Sequence, residues 1–124
     1  MSLQYANFHF LGEKNYKDVP LFTEKLDVLI SFKKNDFTTA GGDSQKIYEY
    51  LATGKPIVTT PVPPAPRYKD VIYVAHDKVE FAEYLGKALE EDDPEKRTRR
   101  MEIARENSWE KRADVILEKV VGLL

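Results

Sequence analysis

The sequence predicts an α/β fold, a doubly wound and mostly parallel sheet with helices on both faces. Three observations carry that prediction. Short β-branched or apolar runs alternate with segments of helical periodicity. One run, "DVLISF", sets Val28, Leu29 and Ile30 side by side, as a strand covered on both faces requires. The helical segments carry capping residues at their starts.

Along the chain, "NFHFLG" alternates Phe8 and Phe10 with Asn7 and His9 and closes at Gly12, the pattern of a short strand. Asp18 followed by Val19 and Pro20 starts a short helix, with Phe22 and Leu26 on one face. "DVLISF" is the next strand, and a polar loop from Lys33 to Gly42 follows it. Asp43 or Ser44 then caps a helix that runs to about Thr53, and Gly54 supplies the left-handed residue at its end. "PIVTTPV" is a β-branched strand closed by Pro61, Pro63, Pro64 and Pro66, and "VIYVA" is another strand. Val79 to Leu89 is an amphipathic helix that buries Phe81, Leu85, Ala88 and Leu89. Asp93 and Pro94 start a further helix, and Ser108 caps the last, whose apolar stripe is Trp109, Ala113, Ile116, Leu117 and Val120.

With 124 residues, 42% of them hydrophobic, the chain has material for one core, so residues 1–124 are expected to form a single domain. A net charge of -2 gives no electrostatic case for nucleic acid or an anionic membrane surface. No cysteine is present, which excludes disulfides and thiolate sites and fits a reducing compartment. The two histidines, His9 and His76, lie far apart, so no metal site is expected. No apolar run approaches the roughly 20 residues that span a bilayer, and the N-terminus lacks the pattern of a signal peptide.

In open α/β sheets ligands bind beyond the carboxyl ends of the strands, which places the candidate site around the loop from Lys33 to Gly42. Gly41 and Gly42 allow backbone amides to approach a ligand, and the unpaired N–H groups from Gly41 to Ser44, Asp43 included, favour phosphate at the helix start. Lys46 adds a point charge in the first turn, and Glu49, three residues on, can accept hydrogen bonds from the vicinal hydroxyls of a ribose. Thr59 and Thr60 end the next strand and add hydroxyls. From spacing alone, Lys46 and Glu49 read rather as a surface ion pair on a capped helix, since two glycines without a full phosphate-loop pattern are a weak signal.

The wording of the sequence narrows this. "KIYEYLATGKPIVTT", with "FHFLG" upstream, "LDVLISF" between them and "ENSWEKRA" downstream, resembles the C-terminal domain of family-four retaining glycosyltransferases of the GT-B fold, from about Asn7 to about Leu117. The resemblance implies a Rossmann-like sheet that binds a nucleotide diphosphate sugar as substrate, with no cofactor or metal. The glycan or lipid-linked acceptor would be held by a separate N-terminal domain. It also implies a cytoplasmic protein, working at the inner membrane face where the acceptor is lipid-linked. Family members carry two glutamates with seven residues between them; Glu49 matches the second, the ribose ligand, while Gly41 stands where the first would be. No catalytic residue is therefore assigned.

The resemblance further implies that two β/α units of the donor domain, with their pyrophosphate-neutralising Arg and Lys, are missing. Lys46, helped by Lys33 or Lys34, would form half of a phosphate site, and the fragment alone would be inactive. With the strands between them absent, "FHFLG" would either move next to "DVLIS" or pair through its exposed edge with a second copy, the latter giving a homo-oligomer. The alternative is a non-catalytic binding or assembly module derived from such a domain, to which the glycine at position 41 points. An epimerase or phosphorylase is disfavoured by the lack of a dinucleotide glycine fingerprint or a pyridoxal phosphate lysine site. The runs "EEDD" and "KRTRR" read as a solvated helix end and a solvated helix face, His76 and Asp77 as a solvated strand end, Tyr50 as core packing or a support for the base, and Trp109 as core or interdomain packing.

Overall fold

The computed structural model describes residue 9, residues 11–33 and residues 45–123, with the backbone alone of Tyr16. Among these residues the chain is α/β, with five α-helices and a three-stranded parallel sheet in the order β1-β2-β3. A 3-10 turn (Tyr16–Asp18) leads into α1 (Val19–Thr23) and then β1 (Leu29–Ser31). Next come α2 (Gln45–Thr53), β2 (Ile57–Thr59), a 3-10 turn (Ala65–Tyr68) and β3 (Tyr73–Val74). The chain ends in α3 (Lys78–Glu90), α4 (Pro94–Glu106) and α5 (Trp109–Gly122).

The strands are short, and β2, between the other two, is the one buried along its whole length. In register, Leu29 faces Ile57, Ile30 faces Val58 and Ser31 faces Thr59, while Val58 and Thr59 face Tyr73 and Val74 on the other side. Leu29 and Ile57 join Ile47, Tyr48 and Leu51 of α2, Val71, Ile72, and Ile103 of α4 in the core. Such burial stabilises by about 1.5–3 kcal/mol for each large aliphatic side chain. α2 packs most extensively on α4, and α3 lies against β2 and β3.

The helix boundaries follow local chemistry. Asp77, Asp93 and Ser108 cap α3, α4 and α5 through side-chain oxygens that accept backbone N–H groups of the first turn. At the end of α2 the Thr53 hydroxyl donates to the Tyr50 carbonyl at 2.6 Å, and Gly54 turns the chain at φ +75°. Gly54 is also a point of close approach, since a Cβ there would stand 2.8 Å from Arg97 Cγ and 3.2 Å from Met101 Sδ of α4.

Several sequence expectations change. Of the predicted "NFHFLG" strand, His9, Leu11 and Gly12 lie in irregular backbone, and the remainder is outside the described residues. Leu26 falls beyond the end of α1, so it shares no helical face with Phe22. The buried line of α3 ends on Ala88, which leaves Leu89 one position around the helix and 62% exposed. The stripe of α5 buries nothing, because α5 makes only sparse contacts with the other elements; Trp109 is 70% exposed. "EEDD" and "KRTRR" are not wholly solvated, since Glu91 and Arg100 form a buried ion pair between them.

Candidate functional site

Two threonines tie the carboxyl end of β2 to its neighbours, Thr60 to the end of β1 and Thr59 to the residue after β3. Thr60 N–H donates to the Ser31 carbonyl at 3.2 Å, and the Thr60 hydroxyl accepts from Lys33 N–H at 2.9 Å and donates to the Lys33 carbonyl at 3.0 Å. Thr59 is buried, its hydroxyl donating to the Thr60 carbonyl at 3.2 Å and its own carbonyl accepting from Ala75 N–H at 2.8 Å. Both side chains thus serve the strand ends, and Thr60 fixes the point where the chain leaves β1 towards α2. Gly41, Gly42, Asp43 and Ser44, four of the predicted ligand contacts, lie outside the described residues.

Lys46 and Glu49 lie on α2 as expected, but they differ in setting. Lys46 is exposed, whereas Glu49 is half-buried about 6 Å along the axis from Gln45. Two clefts meet at Glu49, and Lys46 lines neither.

The larger cleft, about 620 Å³, runs between α1 and α2 past Val19, Pro20, Thr23, Tyr50 and Arg97. It extends to Thr53 and Lys55, just before β2, and so opens towards the amino ends of the strands. That is the opposite end from the one where α/β sheets bind ligands. The Lys55 ammonium donates to the carbonyls of Thr23, at 2.9 Å, and of Glu24 and Leu26, which ties the end of α1 to the start of β2. On the other wall the Tyr50 hydroxyl donates to the Ile30 carbonyl at 3.4 Å. Burial, reinforced by the neighbouring Glu49, raises the Tyr50 pKa, so this phenol stays a donor at neutral pH.

The smaller cleft, about 270 Å³, lies between the start of α2 and the junction of α4 with α5. Gln45, Tyr48 and Glu49 form one wall, and Asn107, Trp109 and Arg112 the other. The Arg112 guanidinium lies 4.9 Å from the Tyr48 ring centroid and 6.0 Å from that of Trp109. Tyr48 also makes an edge contact with Tyr68, their centroids 6.1 Å apart. The Asn107 amide donates to the Ile103 carbonyl at 2.8 Å. The sequence reading missed this arrangement; its signal was a tryptophan and an arginine three apart directly after a helix cap.

His76 and Asp77 are exposed at the end of β3, as the sequence reading has them, and both are bonded into the start of α3. His76 N–H meets Glu80 Oε1 at 2.9 Å, while Asp77 Oδ1 accepts Glu80 N–H at 2.8 Å. That backbone bond, then the His76 ring at 3.1 Å, holds the Glu80 carboxyl below its usual pKa. Among the described residues no three His, Asp or Glu side chains gather as metal ligands, and no helix is long and apolar enough to cross a membrane.

Comparison of the chain with protein-family models, curated proteins and solved structures finds no match.

Proposed function

We propose that this chain is part of the donor-binding domain of a GT-B glycosyltransferase, a doubly wound unit that holds a nucleotide diphosphate sugar. The reading rests on the resemblance around "EYLATGKPIV" and on one observation. Glu49, the residue that the resemblance assigns to the ribose, is half-buried beside the smaller cleft, on the helix that follows the carboxyl end of β1. A carboxylate held there has acceptor atoms for vicinal hydroxyls, and exposed Lys46 one turn nearer the helix start suits the diphosphate. Transfer would depend on positioning the donor and stabilising the leaving diphosphate. The acceptor would come from another domain, and the fragment alone would bind without turning over.

A second reading, a non-catalytic module of the same descent, is favoured by Gly41 standing in place of the first family glutamate. Titration of the isotope-labelled chain with uridine, guanosine and adenosine diphosphates tests donor binding. Amide shifts concentrated from Gly41 to Glu49, strongest for one base and lost in Glu49→Ala, are expected. A folded chain whose amides respond to none of the three would overturn the donor reading.

A further inference from the structure

The smaller cleft combines features that the donor reading does not use. Trp109 is the chain's single tryptophan, and it keeps 70% of its surface in water beside the cleft. Tyr48 walls the other side. Around these rings stand four planar polar groups: the Glu49 carboxylate, the Arg112 guanidinium, and the amides of Gln45 and Asn107. Asn107 is fixed by its bond to the Ile103 carbonyl, which leaves its Oδ1 as an acceptor.

A pyranose ring has the complementary surface. One face carries axial C–H groups that cover an aromatic ring, and its edge carries vicinal hydroxyls that each donate and accept. Carboxylate, guanidinium and amide groups present paired atoms that engage neighbouring hydroxyls two at a time. An aromatic ring supplies apolar area at little entropic cost. At about 270 Å³ the cleft falls just below the range of about 300–1,000 Å³ seen for drug-sized ligands, a fit for one sugar ring. One acidic and one basic side chain on opposite walls balance in charge, which favours a neutral sugar over an anionic one.

We propose that the cleft between α2 and the start of α5 is a subsite for a neutral pyranose. It shares Glu49 with the donor reading but does not depend on it, since a sugar can reach this cleft from a nucleotide donor or from a glycan.

Because Trp109 is the sole tryptophan, its emission reports on this cleft alone. The whole chain would be titrated with methyl α-glucopyranoside, N-acetylglucosamine and glucuronate, with mannitol as an acyclic polyol control, and with uridine diphosphate alone and carrying glucose. The neutral pyranoses are expected to shift Trp109 emission to the blue and protect it from iodide at millimolar concentration, with glucuronate weaker and mannitol inert. Response to the nucleotide sugar at much lower concentration than to the methyl glycoside would make the ring the donor's; equal responses would make it a separate glycan's. Arg112→Leu is expected to weaken the response roughly tenfold, as loss of one charge-assisted hydrogen bond does. The iodide measurement on the unaltered chain stands even if that variant fails to fold. No response to any pyranose at its solubility limit, an equal response to mannitol, or an equal response to the nucleotide without sugar would overturn the proposal.

Discussion

Arg100 and Glu91 form a two-pronged ion pair in the interior, with Nη1 2.7 Å from Oε2 and Nη2 2.6 Å from Oε1. Arg100 is fully buried and makes two further bonds, Nε to the Val71 carbonyl at 2.8 Å and Nη1 to the Gly54 carbonyl at 3.1 Å. The guanidinium thus joins α4 to the end of α2, the approach to β3 and the turn after α3. Burying the pair costs desolvation, so its net worth is small, but removing one partner strands the other. Arg100→Met is expected to destabilise by about 3–5 kcal/mol in urea unfolding at neutral pH. Arg100→Met combined with Glu91→Leu should recover much of that. A double variant as unstable as the single one would show that the stranded carboxylate is not the cause.

The same pair sets an acid limit. Burial pushes the Glu91 carboxyl up, but hydrogen bonds from Arg100, its charge and the Tyr73 hydroxyl outweigh it, so the pKa lies below 4.5. A carboxyl depressed in the folded state binds fewer protons than in the unfolded chain. Its contribution is therefore complete above the unfolded value near 4.5 and is lost as pH falls through the folded one. Urea midpoints should drop in that window, and Glu91→Gln should flatten the slope. Glu80 shifts the same way on the surface, so the measurement belongs at high salt, where its share is screened.

Tyr73 sets the alkaline counterpart. Its pKa is pushed up to about 12, first by burial and then by the hydrogen bond its hydroxyl donates to Glu91 at 2.9 Å. Ionisation is harder in the folded chain than in the unfolded one, where the value is 10.0. The stability this contributes is complete below 10.0 and disappears as pH rises through about 12. Spectrophotometric titration of the folded chain should show late tyrosines, Tyr50 and Tyr73, and Tyr73→Phe should remove the component near 12 while leaving that of Tyr50.

Lys55 is expected to hold α1 in place. No residue of α1 is buried, yet the Lys55 ammonium collects three carbonyls at its end. Lys55→Met keeps much of the side-chain length and removes the donors. Hydrogen exchange should then quicken at the amides of Glu24, Lys25 and Leu26, which close the turn on Pro20, Phe22 and Thr23, while the β2 amides keep their protection. Uniform loss of protection would show that Lys55 supports the whole fold instead.

Much of this architecture was legible because local signals agreed with the fold. Pro20, Asp93 with Pro94, Ser108 and Gly54 mark helix ends that the structure keeps, and the runs around Leu29, Ile57 and Tyr73 became strands. What was not legible depended on distance in sequence. Glu91 and Arg100 each read as part of a solvated charge run, since nothing local tells which charge a neighbouring element will cover. The stripe of α5 has the period of a buried helix, but period reveals an apolar face and not whether this chain supplies its cover. At the candidate site, Lys46 and Glu49 were visible as residues. The second cleft was not, because Arg112 meets Tyr48 from a helix more than 60 positions on.

Gly54 couples a local rule to a long-range one. Its φ of +75° costs an L side chain about 1–2 kcal/mol. A Cβ there would also press on Arg97 Cγ at 2.8 Å, an atom near the root of its side chain that must change rotamer or carry α4 with it to give way. Gly54→Ala should therefore destabilise by more than the backbone term alone. In an Arg97→Ala background the same change should cost less, the backbone term of about 1–2 kcal/mol plus what the 3.2 Å approach to Met101 Sδ adds. Gly54→Asn, which tolerates the left-handed region better, should recover part of the backbone cost while keeping the clash. Equal losses for Gly54→Ala in both backgrounds would remove the contact with Arg97 as a cause.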